Sequence, residues 1–222
     1  MTSAPSAMSD PTDISVQLQT LLASAGLESI QTKQNKQLND YFALLERWNR
    51  RVNLTAIRDP EGILARHFVE SIAAAQALPA AIATLLDFGS GAGFPGIPIA
   101  ICRPEIAVTL AESQGKKAAF LREAVRTLGL GAQVHAARAE TLTIQFDCVT
   151  LRAVDRMQQA VSAAARLVRS GGWLAPLITT AGLPALEAAT GAGFIWRPPT
   201  PLPGSDRRIL ALARASADLS GN

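Results

Sequence analysis

An α/β fold is predicted, with a largely parallel sheet covered by helices on both faces and a helical extension ahead of it. Three observations predict it. From residue 81 onward, short β-rich runs alternate with helical ones; glycine or proline punctuates the joins; and a glycine-dense turn follows directly on the first β-rich run. Strand–helix alternation of this kind gives parallel strands joined by crossover helices.

The elements follow in order. Residues 1–14 lack apolar periodicity and read as a disordered tail, and residues 15–80 as a helical extension. Within the extension, Leu38, Phe42, Leu45, Trp48 and Val52 recur at three- and four-residue steps, which places them on one helix face. A further helix opens at Asp59-Pro60, an N-cap followed by proline at the first helical position, and Pro79 ends it. Residues 81–222 form the α/β domain. Its seven strand candidates are "ATLLDF", "IAVTLAE", "AQVHAA", "FDCVTLRAV", "GGWLAPLI", "GFIWR" and "RRILALA". Helices fit at about 94–102, 115–128, 155–169 and 182–191. The last two candidates are joined by "PPTPLPGSD" with no helix between them, so they pair as an antiparallel edge.

Of the 222 residues, 48% are hydrophobic and 18% charged, enough for one buried core and too apolar for a disordered chain. The net charge of +3 is compatible with a polyanionic partner without requiring one. Cys102 and Cys148 offer neither a disulfide framework nor metal-ligand spacing, so no metal is expected. The opening residues "MTSAPSAMSDPTD" have no basic region followed by an apolar one, so no secretory signal is expected, and the longest apolar stretch is broken by Gln76 and Pro79. The protein is expected to be soluble and cytoplasmic, with no membrane partner.

The turn "GSGAGFPG" can be read in two registers. Gly89-Ser90-Gly91-Ala92-Gly93 is a G-x-G-x-G loop, whereas residues 91–96 spell G-x-G-x-x-G. A dinucleotide loop opening at Gly89 would need glycine at 94, where Phe94 stands. The second register starts four residues after Asp87 and puts Pro95, which has no N–H, where a pyrophosphate would need one. The first register has no such conflict and favours S-adenosyl-L-methionine over a dinucleotide or a merely structural turn. Glu112, at the end of the second strand, can accept both ribose hydroxyls of either cofactor.

Methyl transfer is an in-line displacement, so alignment and exclusion of water are the main demands. Neither cysteine follows a proline, as a pyrimidine carbon-5 nucleophile would. The segment after the fourth strand reads "LRAVDR" rather than the Pro-Pro-aromatic signature of amine methylation. A ring nitrogen with a free lone pair, such as guanine N7, needs no proton removed first.

In order and spacing, "ERWNRRVNLTAIRDPEGILARHFVESI", "LLDFGSGAGFPGIPIAI", "ESQGKKAAFLREAVRTLGL", "RAETL" and "FDCVTLRAV" resemble the bacterial small-subunit rRNA guanine-N7 methyltransferases, the glucose-inhibited division protein B family. The resemblance covers about residues 20–213. It implies a Rossmann-like, seven-stranded S-adenosylmethionine-dependent methyltransferase fold. It also implies methyl transfer to N7 of one guanine, nucleotide 527, in the 16S rRNA of the small ribosomal subunit. In family terms Gly89 and Phe94 would line the cofactor site, beside the Gly91 and Gly93 of the loop register, Glu112 would hold the ribose and Ala139-Glu140 would meet the adenine. Arg152 belongs to the cofactor side and faces the reaction cleft, and Arg152 and His67 are the substrate-side candidates. No DNA partner is implied, and nothing demands more than a monomer. The chain departs from the family at Glu112 (usually aspartate), at Leu151 (commonly serine) and in "APLITTAGLP", which lacks the usual lysine. A methyltransferase acting on a protein or small molecule, or a non-catalytic RNA-binding module, are the alternative readings.

Arg152 could be an exposed post-strand residue, Glu140 a helix-starting acid, His67 a structural histidine and Trp48 part of the core. Residues 31–58 carry six basic side chains (Lys33, Lys36, Arg47, Arg50, Arg51, Arg58) against Asp40 and Glu46, a solvated face or a phosphate-contacting one. Lys116, Lys117, Arg122, Arg126, Arg207 and Arg208 would add to an RNA footprint if they converge on the cleft.

Overall fold

A computed structural model describes residues 13–217; the expected disordered tail lies almost wholly outside the described residues. Two helices open the chain, α1 (Ser15–Ser24) and α2 (Thr32–Asn49). The latter starts in a capping box in which the Gln34 side chain accepts from the Gln31 amide at 2.8 Å. Leu38, Phe42 and Leu45 are buried on one face of α2, as their spacing predicts, while Val52 lies beyond the helix end and still packs on the core. Asp59 caps α3 (Pro60–Ile63), its carboxylate accepting from the Gly62 amide. That helix runs through a π-helical stretch, Leu64–Val69, into α4 (Glu70–Ala77). The π turn was not anticipated: its five-residue bonding leaves no mark in hydrophobic spacing, and such turns concentrate at functional sites.

The sheet runs β1 (Thr84–Phe88), β2 (Ala107–Ala111), β3 (Gln133–His135), β4 (Phe146–Arg152) and β5 (Val168–Thr179), all parallel. Helices α5 (Gly96–Cys102), α6 (Gly115–Thr127), α7 (Met157–Ala165) and α8 (Leu183–Thr190) lie between or after these strands, close to the predicted spans. At the far edge stand β6 (Phe194–Trp196), β7 (Thr200–Pro201), β8 (Arg208–Leu210) and β9 (Ala213–Ala215).

The expected antiparallel edge is present, since β6 pairs antiparallel with β9. Its final strand, predicted as one run, is divided into β8 and β9, both antiparallel to β5. The reason is Pro176 inside β5. It accepts from the Ala211 amide at 3.0 Å but has no N–H to return, so the ladder lapses opposite it. With β7 on β8 and β6 on β9, nine segments occupy the seven expected positions.

The two faces are covered by separate apolar clusters. One joins α1, α2, α4, α5 and α6 to the sheet through Leu18, Leu38, Tyr41, Phe68, Leu85, Ile97 and Phe120. The other packs α7 and α8 on Leu86, Val149, Leu151 and Leu174. The N-terminal helices therefore share one continuous core with α5 and α6. No helix among the described residues is long and apolar enough to cross a membrane.

Candidate functional site

Strands β1, β2 and β4 end side by side: Phe88 is in register with Ala111 on one flank and Leu151 on the other. The chain leaves β1 for β2 on one side and returns to β4 on the other, so the sheet's topological switch point lies between β1 and β4. A cavity of about 880 Å3 opens beyond these strand ends, within the usual range of ligand sites, roughly 300–1,000 Å3.

The glycine loop forms its floor. The Ser90 amide donates to Ala111 O at 2.9 Å, and the Ser90 hydroxyl donates to Asp87 O at 3.0 Å. Gly91 has φ +57, and a Cβ built on it would find only Gly89 O, 3.9 Å away, before entering the cavity. Gly89 also lines the cavity. Gly93 is different, because a Cβ there would strike Ile97 Cδ1 at 2.5 Å and Tyr41 Oη at 2.9 Å, and it is absent from the cavity wall. Its glycine serves packing against α2 and α5. Asp87 anchors the loop from below by accepting from the Gly96 amide at 3.1 Å. Burial pushes its carboxyl up to about 7.

Glu112 follows β2 directly and lines the cavity. One carboxylate oxygen accepts from the Gly91 amide at 3.0 Å and the other from Gln114 at 2.7 Å. Each oxygen keeps a second lone pair for a ligand hydroxyl. Ala139 and Glu140 lie in a short 3-10 turn (Ala139–Thr141) beyond β3, the first buried and the second exposed, both on the cavity wall.

On the opposite side, Arg152 ends β4. It is buried, not exposed, with a side chain 8% accessible. One of its nitrogens donates to the Arg66 carbonyl at 2.6 Å, lies 3.0 Å from His67 Nδ1 and stands 3.4 Å from a Glu70 oxygen. Glu70 is wholly buried and also faces Arg66 at 3.6 Å and Arg208, which donates to it. Burial raises the Glu70 carboxyl, and the three guanidinium groups oppose that rise. Burial pulls the Arg152 guanidinium down to about 10.

His67 completes this wall. Its ring stacks on Phe94 with centroids 4.8 Å apart, and Phe94 in turn touches Tyr41 and Phe68. Burial, then Arg152, Arg208 and Arg66, pull its pKa from 6.5 to about 3. His67 is therefore neutral at physiological pH and unable to act there as an acid, and the pH–rate profile should show no inflection from it near 6.5. In the unfolded chain it binds a proton below about 6.5, in the folded one only near 3. Stability accordingly falls as pH drops through that window. The decline in melting temperature between pH 7 and pH 4.5 should be shallower for His67→Gln than for the parent protein.

All the expected residues except Gly93 thus meet at one cavity. Trp48 is half-buried and packs against the core: its indole N–H donates to Glu123 at 3.0 Å and its ring meets Phe120 edge-on at 5.7 Å. Of the basic run, Lys36 pairs with Asp40 and Arg47 with Glu123, while Arg58 donates to Asn49 O and Asn53. Lys33, Arg50 and Arg51 are exposed. Both cysteines lie outside the cavity, with thiols pushed up by burial. Among the described residues, no cluster of three or more His, Cys, Asp or Glu side chains could hold a metal ion.

Sequence reasoning passed over Glu70, which reads as an ordinary helical acid, and Thr55, which lies on the cavity wall beside His67. Asn49 and Thr55 both fall within the family motif at 46–72, but the contact between them is not legible there. The Asn49 side chain accepts from the Leu54 and Thr55 amides at 3.0 and 3.2 Å and so holds the loop that carries the threonine.

The family model for GidB, rRNA small subunit methyltransferase G, matches residues 34–178. A ribosomal RNA small subunit methyltransferase G of Stenotrophomonas maltophilia (strain K279a) is 46% identical over 167 residues, 74% of this chain and 76% of its own length. The protein of that name from Roseiflexus sp. (strain RS-1) is 42% identical over 193 residues, 81% of this chain and 82% of its own. Among solved structures, a predicted O-methyltransferase from Agrobacterium tumefaciens shares the fold with a TM-score of 0.55 at 21% identity, covering 66% of this chain and 80% of that one. The T. thermophilus 16S rRNA N2 G1207 methyltransferase, solved with AdoMet and guanosine, gives a TM-score of 0.51 at 18% identity, covering 67% of this chain and 38% of that one.

Proposed function

Because the chain belongs to the rRNA small subunit methyltransferase G family, we propose that it transfers a methyl group from S-adenosyl-L-methionine to N7 of one guanine in 16S rRNA, nucleotide 527, acting as a monomer. The observation that carries this reading is the meeting of the Gly89–Gly91 floor, Glu112 and the Arg152–His67 wall around one cavity at the switch point. The cofactor supplies an electrophilic methyl on a sulfonium.

The residues present fit it. Gly89 and Gly91 leave room for the ligand to lie against the backbone, and the free lone pairs of Glu112 suit ribose hydroxyls. Ala139 and Glu140, on the cavity wall beyond β3, would bound the adenine end. A nucleoside held by Glu112 and the glycine loop would leave Arg152, His67 and Phe94, on the β4 side of the cavity, to face the transferred group. A ring nitrogen attacks with its own lone pair, so these residues need only position the base and exclude water. Lys117, Arg138 and Arg156 stand on the cavity wall where rRNA phosphates would approach.

Incubating the protein with labelled S-adenosylmethionine and small subunits from a host lacking the modification should place label on a single guanine. Cleavage chemistry specific for N7-methylguanine, read by primer extension, would map it. The rate with subunits should fall steeply with salt, as phosphate contacts require. Unlabelled rRNA would refute the proposal.

A further inference from the structure

Thr55 sits on the cavity wall next to His67, and its hydroxyl has an unusual set of partners. The Ile57 amide donates to Thr55 Oγ1 at 3.2 Å, and His67 Nε2 lies 2.7 Å from it. The other ring nitrogen of His67 is 3.0 Å from an Arg152 nitrogen. A guanidinium can only donate, so its approach to Nδ1 favours the tautomer in which Nδ1 accepts. The proton of the neutral ring then sits on Nε2 and points at Thr55. A hydroxyl has two lone pairs and one proton, and here both lone pairs are taken. The proton of Thr55 has no acceptor among the described residues, which leaves the cavity as its direction. Arg152 and His67 thus convert a hydroxyl that could either donate or accept into one that only donates.

A donor-only group beside the reacting site discriminates between purines. On its N7 edge guanine carries two acceptors, N7 and O6, whereas adenine carries N7 and an amino donor. If N7 is to be methylated it must be left bare, so O6 is the handle that remains. We propose that Thr55 is a specificity-determining residue whose hydroxyl donates to O6 of the target guanine and turns adenine away by setting donor against donor. This rests on the guanine-N7 reading above.

The test uses small subunits assembled with guanine, 2-aminopurine or adenine at the target position. 2-Aminopurine keeps N7 but has hydrogen in place of O6. The unaltered protein should lose about ten- to a hundredfold in kcat/KM on 2-aminopurine, the effect of leaving one buried donor unsatisfied. Thr55→Val should lose a similar factor on guanine and nothing further on 2-aminopurine, and Thr55→Ser should restore the preference. Calorimetry should give the same S-adenosylmethionine affinity for all three proteins. Equal rates of the unaltered protein on guanine and 2-aminopurine would overturn the proposal without recourse to any variant. So would a Thr55→Val protein that keeps the parent's preference. A protein that methylates no guanine at all would instead bring down the guanine-N7 reading, and this inference with it.

Discussion

Replacing Gly91 by valine is expected to abolish S-adenosylmethionine binding, with affinity falling at least about a hundredfold. Two effects act together. The backbone at Gly91 has φ +57, a left-handed conformation in which a β-branched residue is strained by about 1–3 kcal/mol. The added side chain has nothing of the protein within 3.9 Å to rest on, so its methyl groups project into the cavity. Relaxing the backbone to relieve the strain would pull the Gly91 amide from Glu112 and disturb the carboxylate proposed to hold the ribose. Gly91→Ala, which adds one carbon and less strain, should lose much less. Titration calorimetry measures both, and an unchanged affinity for Gly91→Val would defeat the loop register on which the cofactor site is built.

Glu70→Leu is expected to cost the largest amount of folding stability, about 3–5 kcal/mol, the range for removing one partner of a buried ion pair. Glu70 faces three guanidinium groups, the only carboxylate among the described residues that pairs with them, and without it Arg152 and Arg208 are left beside each other with side chains only 8% and 16% accessible. Arg66, 49% accessible, can swing into water, whereas Arg152 and Arg208 are more enclosed. At about 2–4 °C per kcal/mol for a chain of this size, the melting temperature should drop by roughly 10 °C. Adding Arg208→Met to Glu70→Leu should recover part of the loss, because one uncompensated charge is removed with its partner. A melting temperature within a degree or two of the parent's would show that the arginines already find other partners.

The two variants separate the ways in which the site was legible. Gly91 announced itself because a glycine after an apolar run ending in Asp87 answers a local demand, room for a ligand against the backbone. Glu112 was readable for the same reason, since strand periodicity fixes which residue reaches a strand's end. Glu70 was not readable. Its neighbours Arg152 and Arg208 lie 82 and 138 positions away along the chain, and nothing in its helix distinguishes it from a solvated acid. Arg152 stands at the carboxyl edge, where the sequence places it, but whether it would be exposed there depended on the π turn and α4 bringing Arg66, His67 and Glu70 against it.

The sequence by itself determined the alternation of strands and helices, the register of the glycine loop, the antiparallel edge and the family motifs, because each is set by neighbours a few residues away: a period, a φ angle, a missing N–H. Tertiary structure alone decided that Gly93 faces Tyr41 while Gly91 faces the cavity, that Pro176 divides the last strand, and that three arginines converge on one buried glutamate. It also aligned Arg152, His67 and Thr55 so that a hydroxyl is left with nothing to do but donate. Those outcomes depend on which surfaces remain after the helices dock, and docking is governed by apolar area summed over the whole chain, in which no single stretch of sequence has a decisive share.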